Sequence, residues 1–364
     1  AVVVPVSPLL MGDELEQVLG RMDVNVLIYD AAVHTRADGR KLDAQGFCVR
    51  EVFLSRRNAR NDQPPQYGRL NPAFIRFSSG TTGASKGVLL SHETIMARTD
   101  AADRGLRITD RDVVLWVLSM SFHFVVTILL YLRRAATILI CRQPFPESFL
   151  EAARRGKATI FYASPFHYYL LATSPLVSAD SLSEVRLAIS TAMKLSDETA
   201  GRFSEKFGFE LVEAYGIIEV GLPFINVGDR RRKRGCVGRV QPGYEVRIAS
   251  PDADGTGSIR IRGPGMFDAY VSPWQSRVEV LAGDWFDTGD VGRIDEDGDL
   301  FILGREKNVI NFVGMKIFPY EVEEVMASHP AVKECCVYGS PHPLFGHLPC
   351  VQIVLKEGAA RPHI

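Results

Sequence analysis

Apolar positions along the chain keep two rhythms in turn. Up to about residue 225, short apolar runs of strand length alternate with stretches of helical period. The first are a strand-like run at Ala1-Val-Val-Val-Pro-Val, an amphipathic helix over Asp13 to Arg21 with Asp13 as its cap, and a strand over Val24 to Tyr29. A polar, proline-bearing linker from Asn58 to Asn71 follows. Strands are then expected at Phe74 to Phe77, Val113 to Leu118, Thr137 to Ile140 and Thr159 to Tyr162, with helices between them. This alternation predicts parallel sheets covered by helices. Beyond Arg239 the rhythm shortens to alternating strands with Gly, Pro and Asp turns, at Tyr244 to Ile248, Ser258 to Arg262, Val291 to Ile294 and Leu300 to Leu303. A short charged segment, Gly304 to Asn308, reads as a hinge. After it, a helix over Tyr320 to Ser328 and strands over Glu334 to Val337 and Cys350 to Leu355 predict a small α+β unit.

The expected fold class is therefore α/β. A large α/β domain over residues 1–238 carries a β-rich subdomain over 239–303, and the hinge 304–308 leads to a small mobile α+β domain over 309–364. Leu115 to Leu132 is long enough to be taken for a membrane span, but Ser119, Ser121, His123 and Thr127 interrupt it. A buried strand followed by a core helix is expected there instead. A chain of 364 residues is also too long for one simple core, which agrees with this division.

Charge changes the picture only by exclusion. With 42 basic against 43 acidic residues the net charge is −1, so bulk electrostatics offers nothing to nucleic acid, and partners must be argued from sites. The six cysteines, Cys48, Cys141, Cys236, Cys335, Cys336 and Cys350, are scattered without metal-ligand spacing. A reduced, cytoplasmic protein is expected. The opening Ala1-Val-Val-Val-Pro-Val reads as the middle of a strand, so the natural chain is expected to begin earlier.

Candidate chemistry centres on Phe74-Ile-Arg-Phe-Ser-Ser-Gly-Thr-Thr-Gly-Ala-Ser-Lys-Gly-Val-Leu-Leu-Ser-His92. A loop of small hydroxylated residues and glycines follows an apolar strand. Glycines let backbone N–H groups turn inward, Ser79, Thr81 and Thr82 add hydroxyl donors, and Lys86 adds a charge, a combination suited to polyphosphate. A bare Gly-Thr-Thr-Gly would read equally well as a flexible turn; the hydroxyls and the lysine together favour the phosphate. The spacing Gly80-x-x-Gly83-x-x-Lys86-Gly87 lacks the Gly-Lys-Ser/Thr ending that places a hydroxyl on magnesium, so it is not a Walker A loop.

That loop resembles the phosphate loop of the adenylate-forming superfamily: acyl-CoA synthetases, luciferases and the adenylation domains of peptide synthetases. Ser85 stands where the family usually has proline. Further matching segments follow in the family's order: Ser121-Phe-His-Phe124, Ser190-Thr-Ala-Met193, Glu213-Ala-Tyr-Gly-Ile-Ile-Glu219, Asp284-Trp-Phe-Asp-Thr-Gly-Asp290, Gly304-Arg305 and Phe312-Val-Gly-Met-Lys-Ile-Phe-Pro-Tyr-Glu-Val-Glu323. The resemblance covers nearly the whole chain and is closest to acyl-CoA synthetases.

The resemblance implies roles residue by residue. Ser79, Gly80, Thr81, Thr82, Gly83 and Lys86 would hold the ATP phosphates, and Glu219 the Mg²⁺ that shields them, since hard cations take carboxylate oxygens. Ala192, Glu213, Ala214 and Tyr215 would line the adenine site, with Tyr215 stacking on the purine. Asp290 and Arg305 would take the ribose. His123 would gate an acyl pocket bounded by Ser164, Ser190, Thr191, Gly216, Ile217 and Ile218. Lys307 would be the hinge on which the small domain turns between adenylation and thiol attack, and Gly314 would leave room for the pantetheine. By themselves, His123 near an apolar run reads as a satisfied core residue and Glu219 as a solvated carboxylate. Their place in the series gives them function.

Two departures stand out. Ile218 occupies the position of a family threonine whose hydroxyl reaches the phosphates, and an isoleucine cannot donate that bond. The family's C-terminal catalytic lysine has no counterpart before Ile364, so the natural chain is expected either to extend further or to have lost it. The run Arg230-Arg-Arg-Lys-Arg234 invites contact with CoA phosphates, although such runs are mostly solvated loop charge.

The resemblance implies an ATP-dependent acyl-CoA synthetase. A carboxylic acid with an apolar, aryl or alicyclic body attacks the α-phosphate of ATP, and the thiol of coenzyme A then takes the acyl group. Two rivals are an acyl-AMP ligase that loads a carrier-protein phosphopantetheine, and a binding protein that keeps an acyl-adenylate pocket without the chemistry.

Overall fold

The computed structural model describes residues 1–7, 10, 12–30, 39–42, 51–58, 63–64, 66–78, 86–141, 147–227, 233, 235–313 and 315–359. Its largest sheet has six strands in the order Gly221–Ile225, Val212–Ile217, Leu187–Ser190, Ile160–Ala163, Val113–Trp116, Thr137–Ile140. All neighbours pair parallel except the first two, which are antiparallel. Ile160–Ala163 and Leu187–Ser190 are buried at every position, as strands covered on both faces must be. The two-residue alternation of side chains divides them between two cores. Leu115, Phe161 and Ala188 pack with Phe149, Tyr168 and Phe203 on one face; Val114, Trp116, Ile160, Tyr162 and Ile189 pack with Leu130 and Tyr131 on the other.

Local chemistry fixes where the covering helices start and stop. The Ser91 side chain accepts from the Thr94 N–H at 3.1 Å to open helix His92–Leu106, and Ser196 accepts from Thr199 at 3.2 Å to open Asp197–Phe207. Gly208, at φ 79°, closes the latter in the left-handed conformation that glycine adopts without penalty. Chain order reverses between Val113–Trp116 and Ile160–Ala163, so a crevice opens beyond the carboxyl ends of those strands.

Three antiparallel sheets complete the site's surroundings. Pro72–Ser78 pairs with Lys86–Ser91, which also pairs with Ala269–Tyr270 from far along the chain. Glu245–Ala249, Gly257–Arg262, Phe286–Ile294 and Leu300–Arg305 form the expected β-rich meander. Beyond the one-turn 3-10 helix Glu306–Asn308, the strands Ile310–Phe312, Met315–Ile317, Val332–His342 and Gly346–Leu355 form one sheet beside helix Pro319–Ala327. Pro319 takes the first helical turn, where its missing N–H costs nothing.

The opening differs from the expectation. Val26–Asp30 does not begin a parallel sheet; it pairs antiparallel with Val52–Arg56, which pairs antiparallel with Arg40–Leu42. Residues 1–6 contribute only a single parallel bridge, Val3 to Phe74. Gly12, not Asp13, is the cap of helix Asp13–Arg21, with no side chain capping it. The apolar stretch after Val113–Trp116 breaks into Met120–His123, a π-helical turn Phe124–Ile128 and Leu129–Arg133. Among the described residues, no helix is long and apolar enough to cross a membrane.

Two buried charges tie the layers together. Arg98, fully buried on helix His92–Leu106, donates to the Gly265 carbonyl from Nε at 3.0 Å and Nη2 at 2.6 Å, and to the Ile218 carbonyl from Nη1 at 3.0 Å. Gly265 sits at φ +71°, and a Cβ there would lie 2.5 Å from the Arg98 backbone nitrogen, so the contact requires glycine. At the other end of the sheet, Asp112 accepts from Arg186 Nε and Nη2, both at 2.8 Å, from the Thr109 N–H at 2.8 Å and from the Thr159 hydroxyl at 2.8 Å.

Burial alone would raise the Asp112 pKa, but these donors outweigh it and bring it down to about 2. A carboxyl depressed on folding contributes stability that is present above its unfolded value of 3.8 and is lost as pH falls towards 2. The shift corresponds to about 2 kcal/mol. The stability gap between wild type and Asp112→Asn in urea unfolding should therefore narrow steadily between pH 5 and pH 2. A gap independent of pH would show that bond geometry, and not charge, sets its value.

Candidate active site

A cavity of about 810 Å³ occupies the crevice beyond the parallel strands. His123, Tyr162, Thr191, Ala192 and the segment Gly216 to Glu219 border it from the large sheet; Arg76, Lys86 and Tyr270 come from the second sheet, and Phe286, Thr288, Gly289 and Arg305 from the meander. Lys307 closes one side from the turn between meander and small domain. Three sheets and a connecting turn, remote in sequence, thus meet at one opening.

On the meander side, Asp290 and Arg305 are cross-strand partners, and Arg305 Nε bonds the Asp290 carboxylate at 2.8 Å. The Tyr215 hydroxyl donates to the other carboxylate oxygen at 2.5 Å, and Arg305 also donates to the Thr288 carbonyl at 3.0 Å. Asp290 is only 4% exposed, standing behind Thr288, Gly289 and Arg305 instead of bordering the opening. Burial raises its pKa, against the opposing pull of Tyr215 and Arg305. Burial also holds the Tyr215 phenol far above its ordinary value, so it is a donor at any working pH.

Across the opening, the Lys86 ammonium lies 4.7 Å from the centre of the Tyr270 ring, and the Tyr270 hydroxyl donates to Glu219 Oε1 at 3.1 Å. Tyr270 therefore places a cation and a carboxylate on its two ends. The Glu219 backbone is fixed from both sides: its own carbonyl accepts from Phe267 N–H at 2.7 Å, and the preceding carbonyl, of Ile218, is held by Arg98.

The remaining wall is apolar and aromatic. The His123 ring meets Trp116 and Tyr162 edge-on, at centroid distances of 5.6 and 5.9 Å. Burial, aided by the charge of Arg76, pushes His123 down to about 4, so it is neutral near pH 7. Burial likewise pushes Tyr162 up to about 12.

Of the expected pocket and nucleotide residues, Lys86, His123, Thr191, Ala192, Gly216, Ile217, Ile218, Glu219, Arg305 and Lys307 border this cavity. Ser164, Ser190, Glu213, Ala214, Tyr215 and Asp290 do not. Ser164 pairs with His167 Nδ1 at 2.8 Å at the start of helix Pro165–Thr173, and Ser190, Glu213 and Ala214 are buried within the strands. The loop residues Ser79, Gly80, Thr81, Thr82 and Gly83, and Gly314, lie outside the described residues. Of the basic run, Lys233 alone is described. Its ammonium sits 2.6 Å from Asp295, 2.6 Å from Asp297 and 2.9 Å from Asp299, so three carboxylates already hold it.

Arg76, Tyr162, Tyr270 and Thr288 border the cavity without having been singled out from sequence. Arg76 had a signal, a charge inside the apolar run Phe74 to Phe77. Tyr270 had none, because its place depends on strand pairing.

Ile218 packs with Phe74, Val88 and Phe267 in the core as well as touching the cavity, and is 8% exposed. A hydroxyl there would meet apolar neighbours. Ile218→Thr is accordingly expected not to raise the rate of any ATP-dependent exchange and to cost about 1–2 kcal/mol in thermal or urea unfolding. A faster exchange would show that the hydroxyl reaches phosphate.

Arg305, backed by the buried Asp290 and Tyr215, and a lysine and a glutamate joined through one tyrosine, border a common cavity. The chain belongs to the AMP-binding enzyme family, whose model matches residues 1–271, with the AMP-binding enzyme C-terminal domain matching 321–363. Among its relatives, a probable 4-coumarate–CoA ligase 1 of Dictyostelium discoideum is 32% identical over 299 residues, covering 78% of this chain and 54% of the relative. The indoleacetate–CoA ligase of Aromatoleum aromaticum is 27% identical over 389 residues, covering 98% and 74%. Among solved structures, ATP-bound MatB from Rhodopseudomonas palustris superposes with a TM-score of 0.74 at 30% identity, covering 85% of this chain and 62% of that one. The chain spans about half the length of the 4-coumarate–CoA ligases it matches.

Proposed function

We propose that this protein is an ATP-dependent acyl-CoA synthetase that joins a carboxylic acid to coenzyme A through an acyl-AMP intermediate. The observation that carries this is the meeting, at one cavity, of Arg305 with the Asp290 and Tyr215 that hold it from behind, the Lys86–Tyr270–Glu219 arrangement and an uncharged aromatic wall at His123 and Tyr162. The first suits ribose hydroxyls, the second phosphates, and the third an acyl body. The ligase names of the relatives support the same assignment.

In the first step a carboxylate oxygen bonds to the α-phosphorus of ATP and the bond to pyrophosphate breaks. Lys86 balances phosphate charge as it shifts to the leaving group, and the cavity holds acid and nucleotide in line. Glu219 offers the hard oxygen donor that Mg²⁺ prefers; when bound, the ion screens the phosphates. In the second step the CoA thiol gives up its proton to solvent, its sulfur bonds to the acyl carbon, and AMP leaves, taking the bonding pair. His123, neutral and wedged between two rings, shapes the wall. Neither step asks for a protein nucleophile.

His123, Val126, Tyr162 and Leu222 favour an acid with an apolar or aryl body. We assign the reaction to the cytoplasm, where its substrates are available to a chain whose described cysteines are free thiols. The deciding measurement is carboxylate-dependent ATP–pyrophosphate exchange with a panel of acids, followed by transfer to free CoA or to a carrier protein. Exchange without transfer to CoA but with transfer to the carrier would make it a carrier-loading ligase. ATP binding with no exchange for any acid would leave only the binding-protein reading.

A further inference from the structure

Lys194 does not border the cavity and has no part in the chemistry so far. It follows strand Leu187–Ser190 and stands just beyond Thr191 and Ala192, which do border it. Its ammonium rests over the Tyr320 ring, 3.6 Å from the centre. Tyr320 belongs to helix Pro319–Ala327 of the small domain, so this contact joins the two domains beside a wall of the cavity.

The surroundings single the contact out. Burial lowers the Lys194 pKa, against the pull of Glu324 and Glu321 from the small domain and of Glu213 and Asp197 from the large one. One cation therefore stands among carboxylates of both domains, and its removal would leave like charges facing across the seam. Burial, with Glu324, Asp197 and Glu213 adding to it, pushes the Tyr320 phenol up to about 12, so the ring stays neutral. A second charged contact across the seam, Lys316 to Asp252, spans 4.0 Å between side chains that are 46% and 39% exposed, where an ion pair contributes little.

The hairpin of Ile310–Phe312 and Met315–Ile317 brings none of its described residues to the cavity, and Val313 and Met315 are 61% and 58% exposed. The segment expected to leave room for the pantetheine thus stands off the cavity in this arrangement. We propose that Lys194 is a positioning residue: its contact with Tyr320 clasps the small domain to the large one for adenylation and has to open before the thiol attacks. The inference rests on the ligase reading. A cation on an aromatic face is strong enough to bias such an equilibrium and weak enough to open in every turnover.

The test measures pyrophosphate exchange and, in a single turnover, transfer of preformed acyl-AMP to CoA. Lys194→Met, which keeps the apolar stem, is expected to raise the ratio of transfer to exchange by roughly three- to tenfold. Tyr320→Leu should do the same, and the two together should do no more than either alone, since both break one contact. Lys194→Arg and Tyr320→Phe, which keep a cation on a ring, should hold the wild-type ratio. A ratio unchanged in Lys194→Met, or effects of the two substitutions that add, overturns the proposal. Amide hydrogen exchange gives an independent reading: Lys194→Met should speed exchange severalfold in helix Pro319–Ala327, and Tyr320→Leu should speed it at residues 193–197, each across the seam from the substitution. If no acid supports pyrophosphate exchange, the ligase reading falls; faster hydrogen exchange across the seam would still support the clasp, and a change confined to the substituted side would overturn it.

Discussion

Replacing Asp290 with asparagine is expected to weaken ATP binding by roughly 1.5–3 kcal/mol, about 10- to 150-fold in Kd, measured by calorimetry. Asparagine keeps the shape and an acceptor for Tyr215 but removes the charge that holds Arg305 at 2.8 Å. Alanine would be a poorer test. From sequence, Asp290 is expected to work on ligand hydroxyls and not on the core, whereas its carboxylate is 4% exposed and already bonded on both oxygens. Truncation would strand the Tyr215 hydroxyl and the Arg305 guanidinium together, mixing lost stability with lost binding. Because burial raises the Asp290 pKa, the carboxylate protonates at a higher pH than an ordinary aspartate. Wild-type ATP affinity should therefore decline early on acidification, and the variant should lack that decline. Equal ATP affinity in both proteins would remove Asp290 from the nucleotide site.

Lys307→Pro should separate the two half-reactions. Lys307 is the middle residue of Glu306–Asn308, a single turn joining the last meander strand to the first strand of the small domain, and it borders the cavity. Proline fixes φ at this one-turn connection, so a rotation of the small domain about it would be blocked. Thioester formation is expected to fall about 100-fold, with pyrophosphate exchange falling much less. Lys307→Gln, which removes the charge but not the backbone freedom, should spare thioester formation relative to the proline variant. A parallel loss of both half-reactions in the proline variant would mean that the turn is structural and not a hinge.

The segments proposed for the nucleotide were legible because each is a short motif that resembles the family's. Tyr215, Asp290 and Arg305, named from three separate segments, do converge, with hydrogen bonds of 2.5 and 2.8 Å. The strands of the large sheet were legible as well, since an apolar run such as Ile160–Ala163 is buried on both faces and leaves a continuous signal. Pairing was not. Periodicity reports that Val24 to Tyr29 is a strand but not which strand it meets, and its partner, Val52–Arg56, runs antiparallel to it. The same limit hid Tyr270, which reaches Glu219 only because Ala269–Tyr270 pairs with the strand that begins at Lys86. Ser164 was placed in the site by its position along the chain and Glu213 by its motif, and the direction of a side chain from a strand end or helix start cannot be read from position alone.

The three hydrogen bonds of Arg98 bear on the entropy of nucleotide capture. Helix His92–Leu106 starts where the Lys86 strand ends, and Arg98 on that helix grips the carbonyl next to Glu219. Lysine and glutamate, which would meet the two sides of a triphosphate, are thereby parts of one stiff frame set by folding itself. A nucleotide entering such a frame would not have to bring its two clamps into alignment, and the ordering entropy that opposes binding at a flexible site would be correspondingly small.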